Sequence, residues 1–443
     1  MKTGLPKVID LFSGCGGLAL GFEKAGFEIA GGIELVREAV DTISSNLSWR
    51  YGKESNHICA DITETDPGFL KKYIGSEGCI VVGGPPCQAY SKAGKAKLNS
   101  LGEGRVNTKD ARGFLYQDFL RFAFELNARA IIMENVPESV NFGDMNIPEI
   151  VCREMEEHGY KAWWTILCAA DYGVPQIRER LFVFGKKKRE RSIDLPIPTN
   201  KDIYGQVLQY GRRLRSFTQY EHFIIPLDGD AEAKQWVTVG DALSDLPVLF
   251  PTENSKYVNN ALNTGMPYKH EAQNEFQMTM RTWYDYENTV VTANSFRKNV
   301  RDYPIFARMK QGDLFTDASR IADELFYKKA RELGLDSNSA EYAALKRKMV
   351  PIYDRDNFAE KWKRLDENKP SHTIVAHLSV DTYSHIHPWE PRGISVREAA
   401  RLQSFPDDFS FDCSMGDAFK QIGNAVPPLL ALGVAKAVFN SFK

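Results

Sequence analysis

The sequence predicts an α/β protein: a domain with a mostly parallel sheet, joined to a smaller, irregular α+β domain. Three observations predict it. Short apolar runs alternate with helical patterns over roughly the first 190 residues. Glycines and acidic residues gather just after those runs, where parallel sheets carry their ligand loops. After Phe184 the alternation stops, and the chain becomes rich in Tyr, Asn and Arg.

The elements follow in order. Val8 to Phe12 is apolar and stops at the glycine loop Ser13-Gly14-Cys15-Gly16-Gly17. Leu18 to Ala25 reads as a helix with Gly26 as its C-cap. Phe27 to Glu34 and His57 to Asp61 are the next strands. Cys79 to Val82 is a buried strand running into Gly83-Gly84-Pro85-Pro86. Ala130 to Met133 repeats that pattern and runs into Glu134-Asn135. Leu181 to Phe184 is the last strand of the series. A basic run and two prolines then open the second region. Val396 to Phe405 reads as an amphipathic helix with a polar face, and Pro428 to Phe439 as an apolar terminal helix. The expected division is 1–190 as the first domain, 191–405 as the second, and 406–443 as a segment returning to the first.

Composition narrows the function. The chain has 443 residues, 43% of them hydrophobic, which suits two or three folded units and excludes disorder. Lys+Arg number 56 against 58 Asp+Glu, a formal net charge of −2. That excludes a histone-like protein but not a nucleic-acid binder, because binding needs a basic face and not a basic total. The seven cysteines are odd in number and scattered without a CxxC pair, so neither a disulfide framework nor a zinc site is expected, and no metal. No signal peptide is expected, because the N-terminus passes almost directly into a strand. No membrane span is expected either, since no run approaches about 18 apolar residues. A cytoplasmic protein fits.

Five blocks carry chemistry. The glycine loop lets a ligand approach backbone and helix N-terminus, with Glu34 near the usual place of a ribose-binding carboxylate. Its spacing differs from the dinucleotide fingerprint, so NAD is not the natural ligand. The second block is Gly83-Gly84-Pro85-Pro86-Cys87-Gln88, where prolines stiffen the backbone around a cysteine. A basic surrounding would favour the Cys87 thiolate, a strong nucleophile. The other six cysteines read as small buried hydrophobes. Residues 91–113 follow, rich in glycine and lysine, and read either as a solvated insertion or as a lid. The third block is Glu134-Asn135-Val136-Pro137. Glu134 reads either as a helix N-cap or as a partly buried acid sharing a proton with a substrate. In the fourth, Gln176, Arg178 and Arg180 alternate onto one face of an extended chain. The fifth comprises Arg397 to Pro406 and the turn Gln421-Ile422-Gly423-Asn424-Ala425-Val426-Pro427-Pro428.

In this order the blocks resemble the C5-cytosine DNA methyltransferases, of the bacterial modification type. Pro-Cys-Gln, Glu-Asn-Val, Gln-x-Arg-x-Arg and Gly-Asn-Ala-Val are all intact over residues 8–184 and 370–435. Gly84-Pro85-Pro86 stands where many relatives have Gly-Phe-Pro, Ala60 where Gly is usual, and Ser395 where Thr is common. None of these removes a reacting group. The resemblance implies a Rossmann-like S-adenosylmethionine-dependent methyltransferase domain and a target-recognition domain.

The resemblance also implies the roles. Phe12, Ser13, Gly14, Gly16, Gly17, Leu18, Glu34, Asp61 and Ile62 would cradle S-adenosylmethionine. Pro86, Leu115, Asn424 and Val426 would complete that pocket. Cys87 would be the nucleophile, Glu134 would hold N3 and the amino group of cytosine, and Arg180 would hold O2 with support from Arg178. Gln88, Ser91, Lys92 and Arg105 would touch DNA from the closing loop. Arg297 and Arg301 lie in a basic stretch among Phe296, Tyr303 and Phe306, and a second basic stretch runs from Lys346 to Arg364. Such patches contact phosphates. The partner would be double-stranded DNA, met by a monomer, with a cognate restriction endonuclease acting separately. RNA methylation and a catalytically silent DNA-binding relative are the competing readings. The long region 190–390 argues against the first, and the intact Cys87, Glu134 and Arg180 against the second.

Overall fold

A computed structural model describes residues 4–48, 56–86, 114–143, 145–202, 208–249, 262–284, 286–351 and 361–443. Two compact units emerge: Met1–Trp236 with Ala425–Lys443, and Val237–Asn424.

The first unit is built on seven strands. β1 (Lys7–Leu11), β2 (Ile29–Glu34), β3 (His57–Cys59), β4 (Cys79–Gly83) and β5 (Ala130–Asn135) pair in parallel. β6 (Tyr160–Cys168) and β7 (Glu179–Lys187) join as an antiparallel pair, giving the order β3-β2-β1-β4-β5-β7-β6. The central strands are apolar on both faces because helices cover both. On one side Ile9, Val81, Ile131 and Val183 pack under α3 (Leu115–Glu125) and α4 (Ile147–Glu157). On the other, Val8, Ile80, Ile132 and Phe184 pack under α1 (Gly17–Lys24) and the C-terminal helix Pro428–Asn440. The short helix α2 (Arg37–Ile43) follows β2. α1 ends as expected, with Gly26 at φ 102° just beyond it.

The terminal helix does return to the first unit. A Cβ added to Gly21 of α1 would fall 2.4 Å from Ala431 Cβ, so the two helices meet at backbone distance. The stretch Met415–Asn440 is long and apolar enough by composition to cross a membrane, contrary to expectation. It is two helices, Met415–Asn424 and Pro428–Asn440, separated by residues 425–427, and most of it is buried in protein.

The first unit extends past the expected boundary at 190, to Trp236. The cause is the edge strand β6, which would otherwise leave its backbone groups unpaired. Trp164 N–H donates to His222 O at 2.9 Å, and Ile224 N–H donates to Trp164 O at 2.9 Å. α5 (Leu208–Phe217) precedes that segment, and Phe217, Tyr220 and Phe223 surround the Trp164 ring. At the other end the first unit resumes at 425 and not 406. Residues 406–424 stay in the second unit because Arg397 donates to Pro406 O and Phe409 O, and Gln403 to Ile422 O.

The second unit is irregular, as expected. Among its described residues, helices such as Phe315–Glu332 and Ala340–Met349 accompany one two-residue strand pair, Met266–Pro267 with Val290–Val291. Helix Val396–Leu402 has a Ser395–Glu398 capping box. Its polar side chains were expected at a surface, but Arg397, Glu398 and Arg401 are buried. Arg401 bridges Asp245 at 3.0 Å and Asp407 at 2.5 Å, and Arg281 meets Asp245 at 2.8 Å. Glu398 meets Arg392 at 2.7 Å and Arg397 donates to backbone carbonyls, so each buried charge is either paired or hydrogen-bonded.

Candidate active site

The glycine loop turns on positive φ. Phe12 adopts 55°, Gly14 53° and Gly16 92°, and a Cβ on Gly16 would strike Ile43 Cγ1 at 2.7 Å. The turn reverses the chain directly from β1 into α1. Glu34, at the end of neighbouring β2, locks it: Gly14 N–H donates to Oε2 and Val36 N–H to Oε1, each at 2.9 Å. Asp61 lies beyond β3, exposed, and accepts from Thr63 N–H at 2.9 Å and Thr63 Oγ1 at 2.7 Å. Those bonds, side chain first, hold its carboxyl below the usual range. Ile62 is buried in the core, and Arg121 Nη2 donates to its carbonyl at 2.7 Å.

Two buried polar groups in this cradle have no hydrogen-bond partner among the described residues. They are both carboxyl oxygens of Asp10 and the hydroxyl of Ser13. Burial, and then the charge of Glu34, push the Asp10 carboxyl well up. Asp10 was passed over in the sequence, although an acid closing a strand before a glycine loop was a visible signal. Buried polar groups without partners are rare, and at a strand end they fit a polar ligand. A carboxylate beside glycine backbone and two orphaned polar side chains suits a ligand with a ribose diol and a cationic group, as S-adenosylmethionine has. Pro86 and Leu115 are half-buried, and Val426 is buried beside Leu430 in the core. Asn424 is the exposed last residue of the Met415–Asn424 helix, in the second unit.

A second group of residues lies at the ends of β4, β5 and β7. Arg180 Nε pairs with Glu134 Oε1 at 2.9 Å, both largely buried. Glu134 therefore belongs to β5 and is no N-cap; the following 3-10 turn Pro137–Asn141 starts from Val136 without a side-chain cap. Burial pushes the Glu134 carboxyl up, Arg180 and Arg178 pull it back, and the balance lies above the ordinary value. Gly84 packs on the same carboxylate: a Cβ there would lie 2.7 Å from Glu134 Oε2. The Gly84-Pro85-Pro86 turn thus brings the chain past Glu134 immediately before Cys87. Cys87, Gln88, Ser91, Lys92 and Arg105 lie outside the described residues.

Gln176 and Arg178, whose alternation with Arg180 reads either as a ligand surface or as an exposed strand face, are both buried. Arg178 Nη2 donates to Ala425 O at 3.1 Å, tying the approach to β7 to the start of the C-terminal return. Of the three, Arg180 alone pairs with Glu134 directly. The six described cysteines are free, and burial raises the Cys79 and Cys168 thiols to about 12.

The basic stretches of the second unit are partly committed to structure. Arg297 donates to Leu378 O and Ser379 O, and exposed Arg301 pairs with Asp302 at 2.7 Å. Phe296, Tyr303 and Phe306 are buried, so they offer no stacking surface. Arg364 is also buried and donates to Phe306 O and Met309 O.

The family profile described as C-5 cytosine-specific DNA methylase matches residues 6–440. M.OihORF3336P of Oceanobacillus iheyensis, itself only assigned as a type II methyltransferase, is 53% identical over 98% of this chain and 95% of its own. The type II methyltransferase M.AgeI of Thalassovita gelatinovora is 33% identical over 98% of this chain and 99% of its own. An E. coli prophage-encoded protein, described as a DNA modification methyltransferase, shares the fold. Its crystal structure matches with a TM-score of 0.62 at 24% identity, covering 99% of both chains.

Proposed function

We propose that this chain, which belongs to the C-5 cytosine-specific DNA methylases, methylates C5 of a cytosine flipped out of a specific short duplex DNA sequence. The reaction runs through a covalent bond between Cys87 and cytosine C6, with S-adenosyl-L-methionine as methyl donor. It takes place in the bacterial cytoplasm, on a monomer, with a restriction endonuclease of matching specificity acting separately. The Glu134–Arg180 pair, set against the turn that leads into Cys87, carries this reading.

Cytosine C5 is a weak nucleophile. Addition of the Cys87 thiolate at C6 turns the ring into an enamine and places negative charge toward N3 and O2. Glu134, with its raised carboxyl, shares a proton at N3 and accepts from the amino group. Arg180 holds O2 and keeps Glu134 oriented, while Arg178 anchors the approach to Arg180 on Ala425 O. Gly14, Glu34, Asp10 and Ser13 hold the cofactor, together with Phe12, Asp61 and Ile62. Bound S-adenosylmethionine supplies an electrophilic methyl group for the activated C5. Water then takes the C5 proton, the C6–S bond breaks to release the Cys87 thiolate, and the N3 proton returns to Glu134, restoring the aromatic ring. Only an unstacked base exposes C6 to a thiolate, and flipping costs a few kcal/mol.

Cytosine-resolution conversion sequencing tests this on unmethylated duplex DNA treated with protein and S-adenosylmethionine. Protection of one cytosine within one short motif, lost in Cys87→Ala, is the expected result. No protection on any DNA, from folded protein that binds the cofactor, overturns it and leaves an RNA substrate or a silent binder.

A further inference from the structure

The helix α5 carries three arginines, Arg212, Arg213 and Arg215, and residues 208–220 contain no Asp or Glu. Its inner stripe is fixed. Leu214 and Phe217 are buried in the core cluster, and Tyr210 Oη donates to Ile166 O of β6 at 2.8 Å. Arg213 lies on the flank and meets the carboxylate of Glu179, the first residue of β7 and the neighbour of Arg180. The charge of Glu138, four residues after Glu134, also acts on Arg213. These contacts put α5 at the end of the sheet that carries the Glu134–Arg180 pair. Arg212 and Arg215 face outward, exposed, with no acidic partner among the described residues.

Several helical arginines elsewhere on this chain are matched along their own helices. Arg37 faces Asp41, Arg121 faces Asp118, and Arg320 faces Glu324. On α5 no residue at helical spacing can do this, and Arg212 and Arg215, three apart, repel each other. An amphipathic helix with an uncompensated arginine face suits a polyanion, and arginine suits phosphate by its forked donors.

We propose that Arg212 and Arg215 form a phosphate-contacting surface of the catalytic unit, gripping the DNA backbone beside the Glu134–Arg180 pair. This deepens the proposed function and rests on it. On this reading α5 supplies backbone affinity with no base readout.

The test is the salt dependence of binding to unmethylated duplex, by fluorescence anisotropy, for wild type and Arg212→Gln/Arg215→Gln. Each lost phosphate contact lowers the slope of log affinity against log salt by about 0.9, so the double variant loses about 1.8. Affinity falls about tenfold across all DNA sequences alike, while the melting temperature and cofactor affinity hold. Arg212→Lys/Arg215→Lys keeps the slope. Arg191→Gln, beyond the far end of β7 and paired with Asp194 at 2.9 Å, leaves binding unchanged. A folded double variant with wild-type slope and affinity overturns the proposal while the methyltransferase reading stands. Wild-type protein that binds no DNA overturns both.

Discussion

Glu134 and Arg180 meet at 2.9 Å across two antiparallel neighbours, β5 and β7, where Glu134 sits opposite Phe182. The pair sits at the sheet end where the Gly84-Pro85-Pro86 turn passes toward Cys87. A carboxyl raised by burial and still held by a guanidinium can share a proton and keep its orientation, which a base with both N3 and an amino group requires.

Glu134→Gln keeps the shape but cannot give N3 a proton. Methyl transfer, followed with labelled S-adenosylmethionine, is expected to slow by about 10²-fold or more. DNA affinity stays within a fewfold. An unchanged kcat would remove Glu134 from the mechanism.

Glu34 spends each carboxylate oxygen on one backbone N–H, yet an oxygen can accept more than once. Glu34→Ala therefore loses a diol partner and loosens the Gly14 turn together. Cofactor affinity by calorimetry is expected to fall about tenfold or more, roughly the worth of a hydrogen bond to a charged group. Full affinity in a folded variant would clear Glu34 of this role.

Gly21 leaves room for the C-terminal helix where a methyl group would meet Ala431 Cβ at 2.4 Å. Gly21→Ala is expected to destabilise by about 1–3 kcal/mol, an overpacking cost that outweighs any gain in helix propensity. Thermal melting reads this directly. A variant as stable as wild type would mean the helices can separate at little cost.

Asp171 accepts from Trp236 Nε1 at 2.8 Å, but burial, with Asp228 and Asp202 nearby, raises its carboxyl to about 7. The folded state thus holds the proton more tightly than the unfolded chain, whose carboxyl titrates near 3.9. Stability is lost as pH rises from about 4 to 7, and the penalty is complete above that. Asp171→Asn still accepts from Trp236 and has no charge to bury. Its melting temperature is expected to exceed wild type at pH 8 by about 3 °C or more and to converge near pH 4. A gap of equal size at both pH values would assign the effect to packing.

His222 titrates in the same sense as Asp171, its pKa also raised in the folded state. Burial lowers its pKa, but its bond to Glu149 and the charges of Glu149 and Glu156 outweigh that and raise it overall. The stability it adds is full below about 6.5 and is lost as pH rises through the raised value. His222→Gln is expected to flatten that part of the melting profile; a profile unchanged from wild type would show that the pair does not form.

The sequence by itself determined what neighbours along the chain can decide. The strand and helix alternation follows from local apolar period, and the glycine loop from the positive φ at Gly14 and Gly16. The order of the motifs was legible for the same reason, each being only a few residues long. Strand β6 was missed because its apolar run, Ala162 to Cys168, has no alternating period, although Gly159 turns the chain directly ahead of it at φ 84°. Tertiary structure decided the rest. Glu134 could be cap or acid until β7 brought Arg180 to it from 46 residues away. Gln176 and Arg178 had the alternation of a ligand face, but the closed core took both inside. Arg397, Glu398 and Arg401 had the pattern of a surface helix, and only partners beyond the helix made their burial tolerable: Asp245 and Asp407 for Arg401, Arg392 for Glu398, and backbone carbonyls for Arg397. A charge declares its partner only when the chain has folded back on itself, because burial makes an unpaired charge too costly to keep.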